Sequence, residues 1–430
     1  MTSFKTSYWP QLDGLRTIAF LLVFFHHHGA PIVFSTCKGA QDYLQKISEW
    51  GWLGVDLFFI LSAFLVTHLL CTEQKAYGKI SLPKFYARRA LRIWPLYFLV
   101  LSATAFILPL FAPHKASHWY GLFLQQLVVP LYLFSGNFAL PGPGWFAMTK
   151  YSELSGIDFM IFVTILTPFW SLCVEEQFYL LWGFSARVLN GLKKLIYFAA
   201  GLAAVGFVAR YYLLWHDRKL SAGSSYYMNS FWHLETIMLG ALLAMVLIAR
   251  PKWGEYLRGG WLPPTLFVAC LASYSAIITF GPAIHSWEYA LAPVMTAASL
   301  TGVTFLALAL HWPPLAKALS NKVMTYIGKL TFAMYVFHFF VIYETKMHAG
   351  LTIVGWQGVE CLSLCFGLIL LAAIISWHVL EKPMNDIRKT LSRVHPETAA
   401  EKAKAEAAAK RAAEAAQTGR EEKEVTLTAR

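Results

Sequence analysis

The sequence predicts an all-α, polytopic transmembrane helical bundle of about ten spans, with a re-entrant or interfacial segment between the third and fourth. Three observations carry that reading. Of 430 residues, 57% are hydrophobic and only 14% are charged, against roughly a quarter charged in soluble domains. Mean hydropathy is +0.49, and apolar runs long enough to cross a bilayer recur along the chain. Lysine and arginine gather between particular runs, as they do in cytoplasmic loops. The formal net charge of +12 is therefore positive-inside charge, and no nucleic-acid partner is expected.

Taken in order, residues 1–13 are short and polar, and the first span is expected at about 14–34. It opens LDGLRTIAFLLVFFHHHG without an A-x-A-like cleavage site, so it is read as retained. A loop with Cys37, Lys38 and Glu49 leads to a second span, about 53–70, containing GVDLFFILSAFLV. The next stretch holds Lys75, Lys79, Lys84, Arg88, Arg89 and Arg92. The positive-inside rule places it, and with it the N-terminus, in the cytoplasm. A third span, about 93–111, then runs outward.

Residues 113–169 contain two glutamines, Pro130 and the run Pro141-Gly142-Pro143-Gly144. The span at about 170–188 ends at Arg187, Lys193 and Lys194, so it runs from outside to inside. The intervening stretch must then cross an even number of times, most simply none. Further spans near 195–214, 232–249, 261–280, 289–310, 326–343 and 357–379 alternate consistently. Arg250, Lys252 and Arg258 mark one inner loop, and Lys317, Lys322 and Lys329 another. Both termini are expected inside the plasma (inner) membrane. Residues 1–390 form the expected membrane domain, and 391–430, with EKAKAEAAAKRAAEAA, a charged Ala/Glu/Lys-rich cytoplasmic tail.

The polar residues inside the spans point to chemistry. Arg16 and His27 lie about 16 Å apart along one helix at 1.5 Å per residue, so the arginine can reach an interface while the imidazole sits deep. With the predicted topology, His27, Asp56, Glu175 and Glu176 share the outer half, as a general base with carboxylate partners would. Each has a plainer reading. The histidines can hydrogen-bond neighbours, Asp56 can cap backbone N–H groups, and either glutamate can pair with an arginine such as Arg210. Arg88, Arg89 and Arg92 stand at the cytoplasmic mouth of the third span, with Arg89 and Arg92 on one helix face. Such guanidinium groups suit phosphate oxygens, although topological charge explains them equally well. His338 and Trp170 are candidates for substrate contact; His338 and His233 can line one cavity, although structural packing is the plainer reading of each, and His378 is weaker still. The cysteines Cys71, Cys173, Cys270, Cys361 and Cys365 form no C-x-x-C pair and read as buried thiols, and no metal is expected.

These motifs together resemble the integral-membrane acyltransferase 3 family, which modifies bacterial surface polysaccharides and other acceptors. LDGLRTIAFLLVFFHH is similar to its opening signature through Arg16 and His27. GVDLFFILSAFLV resembles its second motif with Ala63 where glycine is usual, and FYARRALRIWPLY its R-x-x-R region through Arg89 and Arg92. WSLCVEEQFYLLW, YIGKLTFAMYVFHFFV and VLEKP match later blocks, so the likeness covers residues 10–385. It implies transfer of an acyl group, commonly acetyl, from cytoplasmic acyl-CoA to a hydroxyl acceptor: a surface carbohydrate, a lipid-linked sugar or another alcohol at the lipid membrane. It also implies His27 as general base, Arg16, Arg89 and Arg92 on the donor's phosphates, and Glu175 or Glu176 supporting the outer site. No esterase-like segment follows the spans, so a stand-alone member is expected. The alternative is a proton-coupled small-solute transporter using the intramembrane His, Glu and Arg groups, which the arginine cluster at one mouth disfavours.

Overall fold

The computed structural model describes residues 4–29, 38–111, 168–216, 230–280, 287–349, 355–391 and 394–397. Among these, thirteen α-helices carry the chain: α1 (Pro10–His28), α2 (Lys38–Glu49), α3 (Leu53–Tyr77), α4 (Leu82–Phe111), α5 (Phe169–Leu189), α6 (Leu192–His216), α7 (Ser230–Ala249), α8 (Leu262–Phe280), α9 (Trp287–His311), α10 (Pro313–Leu319), α11 (Lys322–Ala349), α12 (Gly355–Ser376) and α13 (Lys382–Thr390). One short parallel ladder joins β1 (Phe4–Ser7) to β2 (Val394–Glu397), so the start of the chain lies beside the segment that follows α13.

A helix lies over each of the ten expected stretches, and among the described residues six helices are both long and apolar enough to cross a bilayer: Leu53–Tyr77, Leu192–Tyr212, Ser230–Ala249, Ala292–His311, Lys322–Thr345 and Trp356–Thr390. A seventh arises if the 3-10 turn Pro251–Leu257 and Leu262–Ile277, bent by 79°, make one broken span. The helices outside that set, α1, α4 and α5, carry the histidine cluster with Arg16, the arginine run, and the glutamate pair. In α1 and α5 those polar groups lower the very hydropathy that would identify them as spans. The re-entrant reading of 113–169 and the tail beyond residue 397 lie outside the described residues, as do residues 30–37.

One difference from the sequence reading falls between the first two spans. Residues 38–49, expected as a loop, form the amphipathic helix α2. Leu44 and Ile47 are spaced for a helical stripe, but the segment is too short and too polar to stand out in a search for spans. It folds back on the end of α1, where the Ser48 hydroxyl donates to the Phe25 carbonyl and His26 Nδ1 donates to the Ser48 carbonyl at 3.0 Å.

The bundle is built around α1, α3, α7 and α11. α1 packs along α3 and α11, α3 along α7, α7 on α6, and α11 on α12. Several crossings are backbone to backbone, including two between central helices. A Cβ at Gly328 would strike the Asp13 carbonyl, and one at Gly240 the Ile60 carbonyl, so glycine permits the contact between α11 and α1 and that between α7 and α3. Phe20, Phe24, Phe59 and Trp182 fill the interior. Leu99, Val208, Val268, Leu371 and Ile375 are exposed on the outer faces, an apolar surface suited to lipid rather than water. The chain is thus a helical, multi-pass membrane protein.

Candidate active site

Helix α1 supplies the frame. Pro10 starts it at a position where the missing N–H costs nothing, and Asp13 in its first turn anchors the arginine that follows. Arg16 Nη1 donates to Asp13 Oδ1 at 2.5 Å, and the Tyr8 hydroxyl donates to Asp13 Oδ2 at 2.5 Å. Thr17 ties the same turn to α11 through the Met324 carbonyl, 2.7 Å away. Arg16 is thereby held at the mouth of a cavity of about 70 Å³, whose polar lining comprises Arg16, Arg92, Glu175, Ser171, Thr331 and Tyr335. Val55, Phe58, Phe59, Ile93, Leu172 and Phe332 complete it.

The three arginines of α4 take three different environments. Arg92 opens onto the cavity beside Arg16. Arg89, one turn back, is buried and stacks its guanidinium over the Tyr179 ring, 5.3 Å from the centroid. Arg88 is committed elsewhere: Nη2 donates to Glu73 Oε2 at 3.1 Å, and Nη1 to the Leu391 carbonyl at 3.2 Å. Behind Arg92, the Tyr179 hydroxyl donates to Glu175 Oε2 at 3.1 Å. The Ser62 hydroxyl lies 2.5 Å from the Tyr179 oxygen and, since the tyrosine's proton is used, donates to it. Glu176, one position on, is buried, and its Oε1 has no hydrogen-bond partner among the described residues.

The histidines collect at the other end of α1. The His27 ring lies 5.0 Å from the His338 ring, 4.9 Å from His26 and 4.6 Å from Phe339, centroid to centroid. His338 is buried. Its Nδ1 donates to the Tyr335 carbonyl at 2.5 Å, which leaves Nε2 as the ring atom with a lone pair, without a hydrogen-bond partner among the described residues. Tyr335 belongs to both ends. It lines the cavity, its hydroxyl lies 2.7 Å from Ser171 Oγ, and its ring is 5.3 Å from that of His338. A file of side chains therefore leads from Arg16, Arg92 and Glu175 through Tyr335 and His338 to His27.

The expected grouping of His27, Asp56, Glu175 and Glu176 at one depth divides into separate clusters. Because α3 runs antiparallel to α1, with Trp9 against Phe64 and His68, Ser62 and its partner Tyr179 lie toward the Arg16 end. Glu175 follows them there. Asp56 forms its own buried pair, with Oδ1 2.8 Å from His233 Nδ1. Trp170 and Phe59 close over that pair, their rings 5.5 Å and 4.8 Å from the His233 ring. Neither a backbone cap by Asp56 nor a pair between Arg210 and a glutamate of α5 is what the structure holds. Arg210 Nη1 is 2.9 Å from Glu235 Oε2, and Nη2 donates to the Trp232 carbonyl.

Tyr335, Tyr179 and Ser171 are the residues that sequence reasoning passed over. Two of them carry a usable signal. Tyr335 stands three positions before His338, and Tyr179 four after Glu175, so each shares a helix face with a candidate already singled out.

Comparison with known proteins bears on this arrangement. A family model described as an acyltransferase domain, of the acyltransferase 3 type, matches residues 9–381. The O-acetyltransferase OatA of Staphylococcus aureus is 25% identical over 357 residues, 79% of this chain and 51% of that protein. The peptidoglycan O-acetyltransferase OatA of Listeria monocytogenes is 24% identical over 400 residues, 89% of this chain and 57% of its own length. The chain spans about half the length of the curated relatives it matches. No solved structure matches it.

Proposed function

Because the chain belongs to the acyltransferase 3 family, we propose that it is a plasma (inner) membrane O-acyltransferase with ten spans and both termini in the cytoplasm. The acyl group, acetyl by preference, comes from acyl-CoA on the cytoplasmic side and passes to a hydroxyl of a surface carbohydrate or lipid-linked sugar outside. One observation carries the reading: the continuous helix α1 holds Arg16 in a cavity with Arg92 at one end and His27 beside His338 at the other. The two ends are about 16 Å apart. An acyl-CoA has the same division, with phosphates separated from the reacting thioester by an extended pantetheine arm. Arg16 and Arg92 bind the phosphates through charge-assisted hydrogen bonds, and Glu175 orients them.

At the far end, His27 takes the proton of the acceptor hydroxyl as its oxygen attacks the thioester carbonyl. The C–S bond breaks, the acyl group stays on the acceptor oxygen, and the proton returns from His27 to the CoA thiolate. His338, with its Nε2 lone pair directed by the Nδ1 bond to Tyr335, positions His27. Glu176, Asp56 with His233, and Trp170 support the walls. The transporter alternative is not favoured by the family match.

The test uses protein in nanodiscs with acetyl-labelled acetyl-CoA and an envelope-glycan fraction. His27→Ala is expected to lower transfer by a factor of about 10²–10⁴, the usual contribution of a positioned general base, while elution and thermal unfolding stay those of the wild type. Transfer at the wild-type rate removes His27 from the base role. If the wild type neither binds nor consumes any acyl-CoA, the donor assignment fails.

A further inference from the structure

We propose that His28, Cys361 and Cys365 form a binding site for a soft d10 cation, Zn²⁺ or Cu⁺, which clamps the end of α1 to α12. A ring nitrogen of His28 and the two sulfurs lie within 4.8 Å of one another, and the sulfurs are 4.0 Å apart. All three residues are buried, both cysteines completely. Two sulfurs bound to one cation at about 2.3 Å stand roughly 3.8 Å apart at a tetrahedral angle and roughly 4.0 Å at a trigonal one. The observed separation needs almost no adjustment.

The histidine is prepared for the role. His28 Nδ1 lies 2.9 Å from the Gly29 carbonyl, which can only accept, so Nδ1 carries the proton and Nε2 keeps the lone pair. A ring N–H given to a backbone carbonyl is the arrangement that orients metal-binding histidines. The Phe24 ring stacks on His28 at 5.6 Å and meets Phe366 of α12 edge-on at the same distance, which fixes the imidazole between the two helices. Two thiolates and an imidazole select zinc or cuprous copper over magnesium or calcium. Two thiolates also neutralise Zn²⁺, which suits an apolar interior. The sequence hides the site because its ligands come from helices more than 330 positions apart, although the i, i+4 cysteines share a face of α12. His28 adjoins His27, so the clamp sets the direction in which the His27 ring leaves α1.

The test reads the metal directly and stands whether or not His27 is the base. Reduced protein in detergent is titrated with Co²⁺ as an optical probe and then with Zn²⁺ or, anaerobically, Cu⁺. Expected are one Co²⁺ per chain with thiolate-to-cobalt charge-transfer bands, and displacement by both d10 ions; the ion effective at the lower concentration is the preferred occupant. Cys361→Ser and Cys365→Ser each weaken binding at least ~10-fold, the loss that even an outer partner of a metal ligand causes. Cys270→Ser, another buried thiol, leaves it unchanged. In the unaltered protein, Zn²⁺ protects Cys361 and Cys365 from alkylation and a chelator restores reactivity, which covers the case of a serine variant that does not fold. No thiolate–cobalt band in the wild type, an unchanged spectrum in the serine variants, or a Cys361–Cys365 disulfide in the freshly purified protein overturns the proposal.

Discussion

Arg88, Arg89 and Arg92 lie within one helical turn and differ in what holds them. Arg88 is spent on Glu73 and a backbone carbonyl, Arg89 on the face of Tyr179, and Arg92 borders the cavity with Arg16. A ligand phosphate in that cavity meets Arg92. Arg92→Ala is therefore expected to raise the donor KM about 10- to 100-fold, the equivalent of the 1.5–3 kcal/mol of a hydrogen bond to a charged group. The kcat at saturating donor should change only a few-fold, since the guanidinium acts on binding and not on the reacting bond. Steady-state kinetics at varied acyl-CoA check this, and an unchanged donor dependence would reduce Arg92 to topological charge.

The element on which the site depends is the pair of helices α1 and α11. α1 carries Arg16 and His27, and α11 carries Tyr335 and His338. Their register is set where Gly328 meets the Asp13 carbonyl, one turn before Arg16. Backbone cannot yield there as a side chain could. Gly328→Ala should force the helices apart and destabilise the protein by about 1–3 kcal/mol, as other overpacked contacts do. Gly367→Ala on α12, where an added Cβ meets open space, should leave stability unchanged or slightly raised. Thermal unfolding of the two variants in the same detergent measures the difference. Equal midpoints would mean that the α1–α11 contact is looser than the geometry indicates. The cavity's size belongs to this scale too. At about 70 Å³ it is well below the roughly 300–1,000 Å³ of pockets that enclose drug-sized ligands.

For the whole molecule the open question is which way it faces. The α1–α3 pairing puts the start of α1 and the end of α3 on one side, and α2 on the other. The basic stretch from Lys75 to Arg92 follows the end of α3, so that side is expected to be cytoplasmic. Lys79 and Asp42 are exposed on opposite sides. In a Cys37→Ser background, Asp42→Cys should react with a membrane-impermeant maleimide in intact cells, and Lys79→Cys only after permeabilisation. The reverse pattern would invert the bundle and place the arginine cavity outside, away from cytoplasmic acyl-CoA.

Much of the fold was legible in the chain because hydropathy is a local property. Each stretch read as a span carries a helix, and the family whose motifs the chain resembles matches residues 9–381. The local signal was weakest where α1 and α5 carry polar and charged groups within their apolar runs, and α2 was too short and polar to be noticed. Partnership was beyond the sequence altogether. Asp56 with His233, Arg210 with Glu235, and His28 with two cysteines of α12 are joined across long separations by helix packing, and side-chain spacing along one helix says nothing about which helix lies opposite. The sequence by itself determined a multi-pass helical protein with an acyltransferase's motifs. The tertiary structure alone decided that the glutamate of α5 stands with the arginines and that His27 stands with His338, because the antiparallel pairing of α1 with α3 sets depth, and depth sets neighbours.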